Sequence, residues 1–284
     1  MKVLVTGGSG FLGRGVVAGL AAAGHEVTSG DLLVPDGPGD AGVRHVRLDV
    51  TAAAAVSAAV AGHDAVVHLA SIVDPDGMGR HAAYRVDVDG SRHVLDACVE
   101  HGVGRLVVSS SGAAYGYHAD NPVPITEDHP VRGTSAFAYS HHKALVEHLL
   151  ADARREHPEL EQVVLRIGTI LGDAVDNQIT ALFHRRRLLA VRGSDSPFVF
   201  IWDTDLVAIV ARAVGDGPPG TFNVAGTGTL TIHQIAARLG KRTLAIPEPV
   251  LDNTRLRTVF GYTPELTSAE AFDRWLAGHP DARA

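Results

Sequence analysis

Two sets of residues in this chain have the types and spacing to do chemistry. Tyr139 and Lys143 stand four apart in a helical pattern, so they share one helix face. A free phenol titrates near ~10 and is a poor base at neutral pH. An ammonium beside it favours the phenolate, which is the tuning a general acid/base requires. The second set opens the chain, Thr6-Gly7-Gly8-Ser9-Gly10-Phe11-Leu12-Gly13. Gly7, Gly10 and Gly13 recur at every third position, after an apolar run at 2–5 and before a helical pattern through Val16, Val17 and Leu20. Gly7 allows a tight turn, Gly10 lets backbone approach a pyrophosphate, and Gly13 lets helix pack close on strand. The helix N-terminus adds unpaired N–H groups and a positive dipole end for an anion. With a strand on one side and a helix on the other, a dinucleotide site is favoured over a bare packing turn.

The elements that must position these groups follow in order. Residues 25–31 read as a second strand ending in Asp31, 18 residues beyond Gly13. That is close to where a dinucleotide unit places the carboxylate that binds the adenine-ribose hydroxyls. The same charge would repel a 2′-phosphate, so NAD is expected over NADP. The alternative is an ordinary Asp opening the loop at 35–39. A third strand, 43–48, is closed by Asp49 and Val50, and an alanine-rich helix spans 51–61. A fourth strand, 65–69, ends in His68-Leu69-Ala70-Ser71 at the edge where cofactor should pass. His68 has no second ligand at useful spacing and is expected to be a satisfied core histidine. A helix from about 79 to 101 carries Val86, Val94, Leu95, Cys98 and Val99 as its buried stripe. Strand five, 105–108, opens onto Ser109-Ser110-Ser111-Gly112-Ala113-Ala114-Tyr115-Gly116, and a loop with Pro122, Pro124 and Pro130 leads to the helix of Tyr139 and Lys143, reaching about 157. Strand six covers 162–167.

Composition narrows the functional classes. A net charge of −7 argues against a nucleic-acid partner, since neutralising phosphates wants a basic face. The single cysteine, Cys98, excludes an intrachain disulfide and a thiolate cluster, and its apolar surroundings make it a core residue. His141-His142 cannot chelate one metal, because adjacent helix positions point about 100° apart, although one could line a pocket; no metal is expected. The run Arg185-Arg186-Arg187 reads as a solvated helix face, with phosphate binding as the minority alternative. Lys2 and the apolar run after it are too short for a signal peptide, and no stretch reaches the length of a membrane span. A cytoplasmic enzyme is the expectation.

The glycine motif, the serine run ending Tyr115-Gly116, Tyr139 with Lys143, and Leu165-Arg166-Ile167-Gly168 occur in that order, followed by 220–226 and 260–264. In this the sequence resembles the extended short-chain dehydrogenase/reductases, specifically the NAD-dependent epimerase/dehydratase group, over nearly its whole length. The resemblance implies an α/β fold, a doubly wound parallel Rossmann sheet with a small discontinuous C-terminal substrate-binding cap. Residues 1–167 and about 198–224 would form the NAD-binding domain, and about 168–197 and 225–284 the cap. It implies that Tyr139 exchanges the substrate hydroxyl proton and that Lys143 favours its phenolate and holds the nicotinamide ribose. Ser111 would bind the substrate oxygen. Helices near 91–101 and 139–157 would pair in a homodimer.

The expected cofactor is NAD, held by Gly7, Gly10, Phe11, Leu12, Gly13, Asp31, Asp49, Val50, Leu69, Ala70, Ser71, Ser109, Tyr139 and Lys143. The expected substrate contacts are Ser111, Gly112, Tyr115, Arg192 and Trp202. Three departures from the group bear on activity. Gly112-Ala113 stand where its dehydratases carry Asp-Glu, which disfavours dehydration. Asp87 replaces the usual Asn. No arginine precedes 198–205, where the nucleotide-sugar enzymes have one, although Arg192 is close. Oxidation or epimerisation at a secondary alcohol carbon follows, on a small or moderately apolar hydroxy or keto compound in preference to a nucleotide sugar. The alternatives are an NADPH-dependent ketoreductase, a nucleotide-sugar 4-epimerase and, outside enzymes, an NAD(P)-sensing regulator.

Overall fold

The computed structural model describes residues 1–35, 42–73, 79–173, 175, 178–184, 187–190, 197–245 and 250–282, without the side chains of 187, 189, 190 and 242–245. The first half alternates strand and helix: β1 (Lys2–Thr6), α1 (Phe11–Ala22), β2 (Glu26–Asp31), β3 (Val43–Arg47), α2 (Ala53–Val60) and β4 (Ala65–His68). Then come α3 (Arg80–Tyr84), a π-helical turn (Arg85–Asp89), α4 (Gly90–Glu100), β5 (Arg105–Ser111), α5 (Ala138–Glu156) and β6 (Glu161–Ile167). The rest comprises β7 (Thr169–Leu171), α6 (Gln178–Phe183), β8 (Arg187–Ala190), β9 (Pro197–Phe198), β10 (Phe200–Trp202), α7 (Asp203–Val214) and β11 (Gly220–Val224). It closes with β12 (Leu230–Thr231), α8 (Ile232–Leu239), β13 (Arg242–Ala245), α9 (Thr254–Thr258) and α10 (Ser268–Gly278).

Seven strands form one sheet in the order β11-β6-β5-β4-β1-β2-β3, every pairing in it parallel. Parallel strands need helical crossovers, which cover both faces and make the strands apolar on both sides. Period-two alternation then divides each strand between two cores. Val3, Val5, Val67 and Val107 pack with α1 and α7, and Leu4, Val66, Leu106 and Val108 with α2, α4 and α5. Cys98 lies fully buried in the second of these. The strand order reverses between β1 and β4, so a crevice opens at their carboxyl ends, where ligands bind in such sheets.

The first glycine turn sits at that crevice. Gly7 has φ +74°, and a Cβ there would lie 2.7 Å from the Ala70 amide nitrogen. A Cβ on Gly13 would collide with the carbonyl oxygen of Gly7, so helix and turn touch backbone to backbone. A third core, with Phe183, Phe200, Trp202, Phe272 and Trp275, lies among the later elements. Alternation divides β10 as well: Phe200 and Trp202 face this core while Ile201 joins that of α1 and α7. Strand β10 pairs with β7 in a separate two-stranded unit.

Several expectations are corrected. The helix over 79–101 is interrupted by the π turn, which inserts one residue and rotates the faces on either side. Val88 is therefore buried, while Val86 and Val99 are only half-buried. Strand five runs on through Ser109-Ser110-Ser111, because all three serines pair with β6, Ser111 opposite Ile167. Arg187 opens strand β8, not a helix face; Arg185 and Arg186 lie outside the described residues. No helix is long and apolar enough to cross a membrane among the described residues.

Candidate active site

A cavity of about 710 Å³ lies along the carboxyl edge of the sheet. It brings together Gly7, Gly10, Phe11, Leu12 and Gly13 of the turn, Leu69 and Ser71 after β4, Ser109, Ser111 and Gly112, and Tyr139 and Lys143 of α5. Helix α1 starts at Gly10 with no side-chain cap and no acid in its first turn. Its leading N–H groups and positive end thus face the cavity without an internal partner, as an anion site requires. The turn, the start of α1 and the segment after β4 meet backbone to backbone, with no room for a Cβ at Gly7 or Gly13. The free N–H groups of that helix start would hold a dinucleotide pyrophosphate. Asp31 holds the end of β2 in place. Its carboxylate accepts from the Ser9 and Leu33 amides at 3.0 and 3.1 Å.

Ser111, Tyr139 and Lys143 are positioned by backbone. Ser111 Oγ accepts from the Ala113 amide at 3.1 Å, capping the short 3-10 turn, and its own proton has no acceptor among the described residues. Ser140 Oγ accepts from the Thr134 amide (2.9 Å) and donates to the Ala113 carbonyl (2.7 Å). That fully buried hydroxyl pins the first turn of α5 against the turn after Ser111. Lys143 Nζ donates to the Ser109 carbonyl at 2.8 Å and lies 5.5 Å from the centre of the Tyr139 ring. The Tyr139 hydroxyl has no hydrogen-bond partner among the described residues, so it is available to a ligand.

One turn further along α5, Glu147 enters a buried pair with Arg166, with nitrogen–oxygen distances of 2.7 to 3.0 Å. Ser110 donates to the same carboxylate. Burial works to lower the Arg166 pKa, but the Glu147 carboxylate overcomes it and holds the guanidinium above its ordinary value. Arg166 also donates to the Tyr115 hydroxyl at 2.7 Å, which donates to Asn223 Oδ1 at 2.8 Å. Burial pushes Tyr115 up to about 12. Neither Glu147 nor a role for Arg166 was legible from the motifs; a charged residue four positions beyond Lys143 was the available signal.

This network corrects the substrate-contact expectation. Tyr115 is fully buried and faces the Arg166 side, so it is structural. Trp202 is buried in the third core under the Arg274 guanidinium. Tyr117 lines the cavity instead of Tyr115, and Val199 instead of its neighbours Phe198 and Phe200. Phe137, which sequence reasoning passed over, also lines it, its ring 5.8 Å from that of Tyr117 and 6.1 Å from that of Tyr139. Four expected cofactor residues are outside the lining. Asp31 and Ala70 flank the turn, Val50 is buried in the core of α2 and α4, and Asp49 is tied to Thr51 at 2.7 and 2.9 Å. Arg192 lies outside the described residues. His141 is exposed and His142 buried, neither in the cavity. No three potential metal ligands cluster among the described residues.

His68 is buried at the end of β4, bonded to Thr6 Oγ1 (2.7 Å) and Ser91 Oγ (2.9 Å). Ser91 donates its one proton to the Asp87 carbonyl. His68 Nε2 must therefore donate to Ser91, leaving Nδ1 to accept from Thr6.

A parallel sheet with a glycine turn at its switch point, and a Ser, Tyr and Lys set on β5 and α5, defines a short-chain dehydrogenase/reductase fold. Residues 3–225 match the profile of the NAD dependent epimerase/dehydratase family, and the chain belongs to that family. An uncharacterized protein of Mycobacterium tuberculosis is 33% identical over 276 residues, 96% of this chain. The chain spans only 27% of that relative's length. Human 3 beta-hydroxysteroid dehydrogenase type 7 is 36% identical over 203 residues, 65% of this chain and 54% of its own. The solved UDP-glucose 4-epimerase of Thermus thermophilus, in complex with NAD, superposes with a TM-score of 0.78 at 26% identity, covering 99% of each chain.

His68 carries a pH dependence. Burial first, and the Lys143 charge second, lower its pKa from 6.5 to about 3. Below pH 6.5 the unfolded chain takes up a proton that the folded one refuses, so this contribution to stability is lost as pH falls from 6.5 toward 3. Between pH 7 and 5 the loss is about 2 kcal/mol. In urea unfolding at both pH values, His68→Gln is expected to lose less stability than the parent, and equal losses would contradict the assignment.

Proposed function

We propose that this protein is an NAD-dependent oxidoreductase or epimerase acting at a secondary alcohol carbon. The observation that carries the reading is that Ser111, the unpartnered Tyr139 hydroxyl and Lys143 share one cavity with the glycine turn. The turn and the start of α1 would hold the pyrophosphate, Asp31 the adenine ribose, and Lys143 the nicotinamide ribose. NAD, when bound, supplies the group that accepts a hydride from the alcohol carbon or returns it. Tyr139 Oη takes the hydroxyl proton or gives it back, and the free proton of Ser111 is donated to the same oxygen as it becomes a carbonyl. Residues 168–197 and 225–284 would act as the substrate cap. Tyr139→Phe is expected to bind NADH as the parent does and to lose at least ~100-fold in turnover; retention of most activity would remove the acid/base assignment.

The lining favours a moderately apolar substrate. Beside the cofactor elements it presents Tyr117, Phe137, Ile170, Val199 and Leu251, with Lys143 the one charged side chain among the described residues. The name of the human relative agrees with such a substrate. The name of the Thermus structure favours a nucleotide sugar, and that is the competing reading. A thermal-shift screen with NAD present should show stabilisation by alicyclic or aromatic alcohols and none by UDP- or dTDP-sugars. A ligand at a hundredfold excess over its Kd adds about 2.7 kcal/mol, so a shift with a nucleotide sugar alone would overturn the preference. The Asp31 carboxylate predicts tighter NADH than NADPH binding, and the reverse order in the same screen would turn the reading to a ketoreductase.

A cytoplasmic homodimer completes the reading. The lone buried Cys98 suits a reducing compartment, and half-buried Val99, Leu145 and Leu149 line a groove between α4 and α5. Light scattering at micromolar concentration should return twice the chain mass; a monomer would remove the dimer.

A further inference from the structure

Asp87 is a buried carboxylate to which the proposed reaction assigns no role. It lies in the π turn between α3 and α4, a feature that appears often at functional sites because the extra residue re-aims its neighbours. Its side chain points inward and is buried. One carboxylate oxygen accepts from Ser71 Oγ at 2.9 Å and from the Ile72 amide at 2.7 Å. The other accepts from His142 Nδ1 at 2.8 Å, and His142 is buried too. The His142 and Tyr84 rings meet edge to face, their centroids 5.5 Å apart. Ser71 belongs to the cavity wall after β4, and His142 directly precedes Lys143 on α5.

We propose that Asp87 and His142 are a positioning pair that holds the cofactor-side segment 71–72 in register with the turn of α5 bearing Tyr139 and Lys143. Neither side chain lines the cavity, so the pair acts through others. It is the last link of a continuous buried chain. Thr6 at the end of β1 bonds His68, His68 bonds Ser91, Ser91 bonds the Asp87 carbonyl, and Asp87 bonds α5. The end of the strand that enters the glycine turn is thereby connected to the helix that carries the acid/base. A carboxylate is suited to the junction because both its oxygens accept, and three donors converge on it. Removing one donor strands a buried acceptor, which is why such junctions hold their geometry.

The inference rests on the dinucleotide reading, and NADH fluorescence titration separates the two. A parent protein that binds no NADH would defeat that reading itself. Given parent binding, Asp87→Ala and His142→Ala are each expected to raise the NADH Kd roughly tenfold, while circular dichroism at the assay temperature shows both folded. The double variant should be no more than about twofold worse than the weaker single, because the two residues work through one bond. Asp87→Asn, whose amide can still accept from Ser71 and Ile72 and donate to the other tautomer of His142, should return to within about threefold of the parent. If Asp87→Ala does not fold, His142→Ser against Asp87→Asn/His142→Ser makes the same comparison, with affinity partly recovered once the unpaired carboxylate is neutralised. Unchanged affinity in the single variants, losses that multiply in the double, or no recovery in that last comparison would overturn the pair.

Discussion

The buried ion pair between Glu147 and Arg166 is the contact on which the site's geometry depends. Both side chains are almost fully enclosed, at 5% and 8% exposure. Two charges in such a place are tolerated only when each is matched and hydrogen-bonded, and removing one member strands the other at about 3–5 kcal/mol. Here Ser110, Tyr115 and the Glu127 carbonyl complete the set. The pair joins α5 to β6, and through Tyr115 and Asn223 it reaches β11. The helix bearing Tyr139 and Lys143 is therefore fixed in rotation as well as in place, with the two functional side chains one and two turns before the anchor.

Around that anchor, the site is assembled from strand ends. The parallel sheet sends the carboxyl ends of β1, β4, β5 and β6 to one edge, and each contributes short groups there. Polar groups around that edge satisfy one another locally, as the Ser140 hydroxyl does with the Ala113 carbonyl and the Ser9 amide with the Asp31 carboxylate. What is left over faces the cavity: the start of α1, the Ser111 proton and the Tyr139 hydroxyl. The third core reaches the cavity wall through Ile179, beside Val199 and Ile170, and β10 belongs to both halves because its alternate residues face different cores.

Much of this was legible in the chain itself. The spacing of Gly7, Gly10 and Gly13, the strand before them and the helix after them can satisfy their backbone in few other ways, so the turn and the parallel class followed from local sequence. The separation of Tyr139 from Lys143 and the continuous apolar strands were legible for the same reason, since each depends on a short-range period. His68 could be placed in the core because it had no second ligand at useful spacing, and Cys98 because it stands in an apolar helical pattern.

Tertiary structure decided what depends on facing. Tyr115 and Tyr117 are two residues apart and equally aromatic, yet one packs on Arg166 and the other lines the cavity, because the 3-10 turn ends at Tyr115 and Gly116, at φ +82°, redirects the chain between them. Along β9 and β10, Val199 reaches the cavity while Phe198, Phe200 and Trp202 fill the third core. The π turn exchanged Val86 for Val88 and aimed Asp87 at His142, 55 positions away. Sequence periods set which elements form and which residues share a face. The direction of each face is set by packing between distant elements, and single-residue insertions such as the π turn change it without altering the composition that a reader of the sequence sees.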